Sequence, residues 1–151
     1  MKVQDAMTKD AVFCTPQDNL AVVANLMIER DCGVLPIVDE AKKVVGMITD
    51  RDICITAAMR EQKPSDLFAA DFAGKKVVLC RADENIADVL KKMKKYQVKR
   101  LPVTSQEDVL IGIISIADIL PTIGKHKSLK KKLLSTLKSI SKPRPILLRE
   151  I

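Results

Sequence analysis

Aromatic side chains are scarce in this chain: no tryptophan, one tyrosine and three phenylalanines among 151 residues. A surface that stacks the bases of single-stranded nucleic acid is built on such rings, so their shortage argues against that function. The core must instead be assembled from Val, Ile, Leu, Met and Ala, which the 47% hydrophobic content supplies. Histidine is limited to His126, and the four cysteines, Cys14, Cys32, Cys54 and Cys80, show no C-x-x-C spacing. Zinc is therefore not expected, and reduced thiols are. There is no P-loop, no G-x-G-x-x-G and no G-x-S-x-G, and a serine or cysteine nucleophile has no evident base, so the chain does not read as an enzyme. No apolar run approaches a membrane span, and Met1-Lys2-Val3-Gln4-Asp5 lacks the apolar stretch of a signal peptide. A cytoplasmic protein is the expectation.

Charge is present but unevenly placed. The net +7 divides into −1 over residues 1–119 and +8 over residues 120–151. The basic character belongs to the tail, and the body is nearly neutral.

That body repeats itself. Residues 11–53 realign on residues 77–119 at a constant offset of 66 without a gap. Cys14 meets Cys80, Asn19 meets Asn85, Val23 meets Val89 and Met27 meets Met93. The match runs on through Leu35-Pro36 with Leu101-Pro102 and Gly46 with Gly112, ending on Asp52-Ile53 with Asp118-Ile119. Two copies of one supersecondary unit should pack as a pseudo-symmetric pair sharing one core, and a pocket made by one should recur in the other.

Each copy reads as strand, helix, strand, strand, helix. Val12 to Thr15 is a short β-prone run, followed by a turn and by Leu20, Val23, Ala24, Met27 and Ile28 at helical spacing. Val34–Val38 and Val44–Thr49 are β-branched runs joined by a polar turn, with Leu101–Thr104 and Val109–Ser115 as the second copy. A helix follows Thr49 to about Met59; Pro121 shortens its counterpart. The fold class is α/β (α+β), two β-α-β-β-α repeats. Repeat one takes residues 1–60, a linker 61–73, repeat two 74–121 and a basic amphipathic tail 122–151.

Chemistry concentrates at two strand-to-helix junctions. Thr49 and Asp52, and Ser115 and Asp118, each place a hydroxyl at a strand end and a carboxylate three residues on. Such a pair can be a capping box that satisfies free backbone N–H groups. It can also serve a ligand: the helix N-terminus and hydroxyl hold a phosphate, and the carboxylate takes ribose hydroxyls.

The pattern Thr15-Pro16, Leu20, Ala24, Met27, Leu35-Pro36-Ile37-Val38-Asp39, Gly46 and Thr49-x-x-Asp52, met twice, resembles the CBS domain, named after cystathionine β-synthase, in its usual tandem pair. The resemblance covers roughly residues 5–120. It implies two repeats packed sheet to sheet in a non-catalytic regulatory sensor, commonly a homodimer, that binds an adenine nucleotide (AMP, ADP or ATP) or S-adenosylmethionine in clefts between the repeats and requires no cofactor. It assigns Thr49 and Ser115 to phosphate and Asp52 and Asp118 to ribose. Base contacts fall to Cys14, Thr15, Pro16, Val34, Leu35 and Pro36 in one half, and to Cys80, Arg81, Arg100, Leu101 and Pro102 in the other. Arg51, Arg81 and Arg100 can each pair with phosphate oxygens, or stand as surface charges. The main alternative is an interaction or tethering protein with empty clefts. The homodimer would form through Ile53, Ile55, Ala58 and Met59 with Ile119 and Leu120.

In the tail, Leu129, Leu133, Leu134, Leu137 and Ile140 make one stripe from Ser128 on, with Lys130, Lys131, Lys132 and Lys138 around it. Docking of the leucines on the body or a second protomer competes with attraction to an anionic membrane or nucleic-acid backbone, for which no base-reading motif speaks. A regulated protein partner would be of unknown identity. The proline-rich end from Ser141 to Leu148 reads as an extended segment wrapping a neighbour.

Overall fold

Alternating apolar runs and helical stripes produce, in the computed structural model, six short strands, five α-helices and three short 3-10 turns over the described residues, 1–124 and 126–143. The chain forms two packing units. Asp10–Val77 with Thr104–Ile111 make the first-repeat unit; Met1–Lys9, Val78–Val103 and the described residues from Gly112 onward make the second-repeat unit. The proline-rich end lies largely outside the described residues.

In the first-repeat unit, α1 (Leu20–Glu29) opens at Asn19, whose side chain accepts from Ala21 N and Val22 N, a standard N-cap. Strands β2 (Val34–Val38) and β3 (Val44–Thr49) pair antiparallel, Val34 facing Thr49 and Leu35 facing Ile48. All five residues of β2 are buried, and β3 leads without a loop into α2 (Asp50–Arg60). Cys14, Leu20, Val23, Met27, Leu35, Ile37, Ile48 and Ile53 form the core. The expected first strand is reduced to a single parallel bridge, Cys14 with Ile37. Thr15 N and Oγ1 both donate to Asp18 Oδ2, which turns the chain away before a ladder can form.

The second-repeat unit repeats this arrangement. Strand β1 (Thr8–Lys9), β6 (Leu110–Ser115), β5 (Arg100–Thr104) and β4 (Cys80–Arg81) form one sheet in that order. Helix α3 (Ile86–Tyr96) buries Ile86, Val89, Leu90 and Met93, leaving Lys91, Lys94 and Lys95 exposed. Helix α4 (Ile116–Thr122) stops one residue after Pro121, shorter than α2 as expected. Its Ile119, like Ile53 in α2, is core and not surface, so the pair drops out of the apolar residues left for a partner. Met59 and Leu120 remain exposed.

The leading segment of each repeat packs in the unit built around the other. Val3 N donates to Glu84 O at 2.9 Å and Gln4 N to Ala82 O at 2.9 Å. At the same offset of 66, Ala69 N donates to Asp18 O at 2.9 Å and Ala70 N to Pro16 O at 3.0 Å. Val3 and Ala69 are fully buried. These leading segments then cross the repeat glycines: a Cβ on Gly112 would lie 2.6 Å from Thr8 O, and one on Gly46 would collide with Phe72 O. Glycine stands at both positions because backbone occupies the place of a side chain.

Helix α5 (Lys127–Ile140) lies along α3 within the second-repeat unit. The leucine stripe docks in part: Leu133 is buried, Leu129 and Ile140 are half-buried, and Leu134 and Leu137 are exposed. Thr136, absent from the leucine pattern, is the other buried residue, its hydroxyl donating to Leu90 O at 3.1 Å.

Candidate functional site

At the end of β3 the chain reverses hydrogen-bonding partners, and Thr49 becomes the N-cap of α2. Thr49 Oγ1 accepts from Asp52 N at 3.1 Å and donates to Asp52 Oδ2 at 2.8 Å, while Thr49 N donates to the same Oδ2 at 2.8 Å. Ser115 and Asp118 repeat the motif on α4: Ser115 Oγ accepts from Asp118 N at 3.2 Å, and Ser115 Oγ and N donate to Asp118 Oδ2 at 2.6 and 2.7 Å. Both junctions are capping boxes, with Asp in place of the commoner Glu or Gln.

Most first-turn N–H groups are satisfied by the chain. Asp50 N donates to Gly33 O at 3.1 Å, Arg51 N to Asp50 Oδ1 at 2.8 Å and Asp52 N to the Thr49 hydroxyl. On α4, Ile116 N donates to Lys99 O at 3.0 Å and Asp118 N to the Ser115 hydroxyl. An anion arriving at either helix start therefore finds these donors engaged and depends on side chains instead.

The carboxylates have a second oxygen each, and here the repeats diverge. Asp118 Oδ1 accepts from the Thr8 hydroxyl at 3.3 Å. The residue 66 positions after Thr8 is Gly74, which has no hydroxyl to offer, and Asp52 Oδ1 has no hydrogen-bond partner among the described residues. Thr8 carries no sequence signal for this role, since it lies before the recognisable repeat.

The remaining residues of the sequence-derived set gather around the junctions within their own units. Val34 faces Thr49 across the β2–β3 ladder, and Cys14 N donates to Pro36 O at 3.0 Å, so first strand, β2 and junction form one patch. Cys14, Val34, Leu35 and Pro36 are buried; Thr15 and Pro16 are half-buried. In the second-repeat unit Cys80, Leu101 and Pro102 are buried and Arg81 and Arg100 half-buried. Arg81 N donates to Glu84 Oε1 at 2.9 Å, the counterpart of Thr15 N on Asp18, and Lys92 Nζ closes on Glu84 Oε2 at 2.7 Å. Arg51 is exposed. Burial, reinforced by Asp18, pushes the Cys14 thiol up to about 12; burial, reinforced by Glu84, does the same to Cys80. Both are protonated core side chains. Among the described residues no three His, Cys, Asp or Glu side chains come together as a metal site. Nor is any of their helices long and apolar enough to cross a membrane.

The comparisons with known proteins follow this geometry. Residues 3–56 and 69–125 each match the CBS domain, with start points 66 residues apart, as the packing of Val3 and Ala69 requires. The chain is 34% identical over 119 residues to the uncharacterized protein YlbB of Bacillus subtilis, covering 78% of this chain and 79% of that one. It is 32% identical over 123 residues to hypoxic response protein 1 of Mycobacterium tuberculosis, covering 82% and 85%. The crystal structure of Hypoxic Response Protein I, which has two coordinated zinc ions, superposes with a TM-score of 0.73 at 31% identity over 80% of this chain and 98% of that one. The CBS domain pair of protein MJ0100, in complex with 5'-methylthioadenosine and S-adenosyl-L-methionine, gives a TM-score of 0.72 at 27% identity over 84% and 98%. With both copies matched by the domain model and two relatives above 30% identity over most of their length, the chain is a member of the CBS domain family, with the domain present twice.

Proposed function

We propose that this protein is a non-catalytic regulatory module that senses an adenosine-containing ligand at its strand-to-helix junctions. The observation that carries the reading is the division of labour within Asp52. Its Oδ2 holds the cap, and its Oδ1 is left for a ribose hydroxyl to donate to, so the ligand need not break the helix start. Support comes from the adenosyl ligands bound by the MJ0100 domain pair, a relative of the same fold.

The two junctions suit different parts of such ligands. At the first, Asp50 adds a second carboxylate beside Asp52, and Arg51 is the one nearby cation among the assigned residues. At the second, Ile116 replaces Asp50, Arg81 and Arg100 are the assigned cations, and Thr8 already leans on Asp118. The first favours an uncharged or cationic adenosyl group such as S-adenosylmethionine; the second favours the phosphates of AMP, ADP or ATP. The buried members, Cys14, Leu35, Cys80 and Leu101, act as framework, and the base is held by apolar contact and backbone groups.

A homodimer belongs to the same reading. Ile28, 80% exposed, and Met59, 68% exposed, are large apolar side chains left on helices of a small body.

Calorimetric titration with AMP and with S-adenosylmethionine tests the ligand assignment. The parent should bind at least one, and Asp52→Ala with Asp118→Ala should abolish binding while the protein stays folded. Each lost cap costs about 1 kcal/mol, so a thermal melt of the double variant accompanies the titration. Unchanged binding by the folded double variant refutes the ribose role, and a parent that binds neither refutes the sensor reading.

A further inference from the structure

The two repeats differ in what covers their first helix. In the second-repeat unit α5 seals α3: Thr136 Oγ1 donates to Leu90 O at 3.1 Å, Lys94 Nζ to Ser135 Oγ at 2.8 Å, Ser139 Oγ to Lys94 O at 3.0 Å and Gln97 Nε2 to Ser139 O at 2.9 Å. Sixty-six residues earlier, Leu90, Lys94 and Gln97 become Ala24, Ile28 and Asp31. These three line an open groove between α1 and α2 in the first-repeat unit. Its floor is Ala24, Met27 and Ile53, and Cys32 and Cys54 also line it. Its charged lining is Asp31 and Asp50, both exposed. Arg30 and Arg51, their chain neighbours, are exposed as well, and leave the groove without a cationic lining residue.

The outward side of α5 has the complementary composition. Leu134 is 55% exposed and Leu137 36% exposed. Lys130, Lys131 and Lys138 lie three or four positions from Leu134, which puts them beside it on the helix surface. The helix carries Lys127, Lys130, Lys131, Lys132 and Lys138 and no acidic residue. An apolar spot ringed by lysines thus answers an apolar groove edged by aspartates, and α3, the counterpart of the α1 wall of that groove, already accepts the adjoining Leu133 and Thr136 face of the same helix.

We propose that the groove between α1 and α2 of one copy receives the Leu134 and Leu137 face of α5 from a second copy. The proposal rests on the homodimer reading and gives it a surface. A twofold dimer holds the contact twice, each copy supplying one groove and one helix face. Groove against groove is the poorer solution, because it sets Asp31 and Asp50 against their own copies.

Sedimentation across a concentration series, with thiol labelling of the unmodified protein, tests it. Cys54 is exposed and Cys32 half-buried, whereas Cys14 and Cys80 are buried, so labelling of the folded chain reports the groove. Labelling of Cys54 should slow as the dimer forms. Reversing the groove charges, Asp31→Lys with Asp50→Lys, should weaken dimerisation roughly tenfold or more, as should Lys130→Glu with Lys138→Glu, and the four changes together should restore it. A dimer that leaves Cys54 labelling unchanged, or that the α5 reversals do not weaken, overturns this interface while the homodimer stands. A parent that is monomeric throughout the micromolar range overturns the homodimer and this interface together.

Discussion

Leu133 is the residue on which attachment of the tail turns, and its removal gives the sharpest test of how α5 is held. It is 5% exposed against α3, and truncating a leucine buried to that degree costs about 2–5 kcal/mol through lost transfer energy and the cavity left behind. In a chain of this length each kcal/mol lowers the melting temperature by about 2–4 °C, so a loss near 3 kcal/mol in Leu133→Ala corresponds to about 6–12 °C. Thr136→Val keeps the shape and removes the bond to Leu90 O. The expected cost is smaller, about 1 kcal/mol, since that carbonyl lies within α3 and has a helical partner of its own. Lys130, Lys131 and Lys132 are all exposed, and replacing them with Gln should leave the melting temperature within about 2 °C when measured at a concentration dilute enough to keep the protein monomeric, because exposed charges of one sign contribute little to folding. Differential scanning calorimetry of the full-length variants decides it. Should Leu133→Ala melt with the parent while the lysine changes lower stability, docking through the buried face is wrong and the lysines carry the helix.

Two further expectations concern the core. The Cys14 and Cys80 thiols are held at about 12, above their ordinary value near 9, so the folded state prefers the neutral form. Their contribution is complete below pH 9 and is lost as pH rises from 9 toward 12; denaturant melts at pH 8 and pH 10.5 should show a fall that shrinks in Cys14→Ala with Cys80→Ala, and an equal fall in both proteins contradicts the burial argument. Gly46→Ala should destabilise by about 1–3 kcal/mol, because its Cβ meets Phe72 O and comes within 3.0 Å of Ala73 Cα, both backbone; a variant as stable as the parent refutes that crossing.

The spacing of apolar residues was enough to place β2 at Val34–Val38 and β3 at Val44–Thr49, since each run is bounded by polar turns that stop a ladder abruptly. The helices were legible for the same reason, their stripes at Leu20, Val23 and Met27 recurring at Ile86, Val89 and Met93. What could not be read was the exchange of leading segments. Lys2 bridges Asn85 and Phe68 bridges Asn19, positions equivalent by the offset of 66, yet Lys and Phe share nothing. Those contacts run through backbone N–H and C=O groups, which every residue but proline carries, so the side chains were free to differ and the repeat falls silent before residue 11. Thr136 escaped for a related reason: a hydroxyl bonded to a helix carbonyl fills a buried place that a leucine count does not mark.

At the junctions, capping and ligand contact look like rival explanations of one sequence motif, but the geometry makes them compatible, because a carboxylate has two oxygens and the cap uses one. In the free protein Asp52 Oδ2 takes both Thr49 donors, and the rigid helix start that results fixes the direction of Oδ1. A ligand hydroxyl then meets an acceptor whose orientation is already set, so little ordering entropy is left to lose on binding. At Asp118 the same acceptor is shared with Thr8, whose strand pairs with β6 at Ile113 and Gly112. A ligand that displaced the Thr8 hydroxyl would disturb that edge of the sheet, whereas one that bound at Asp52 would break no protein hydrogen bond to Oδ1 among the described residues. On the proposed function, occupancy of the second junction would therefore have a route into the packing of the N-terminal strand through Thr8, which the first junction lacks. On the proposed reading, a sensor built from two copies of one motif would gain two different responses from a single residue, threonine at position 8 where position 74 has glycine.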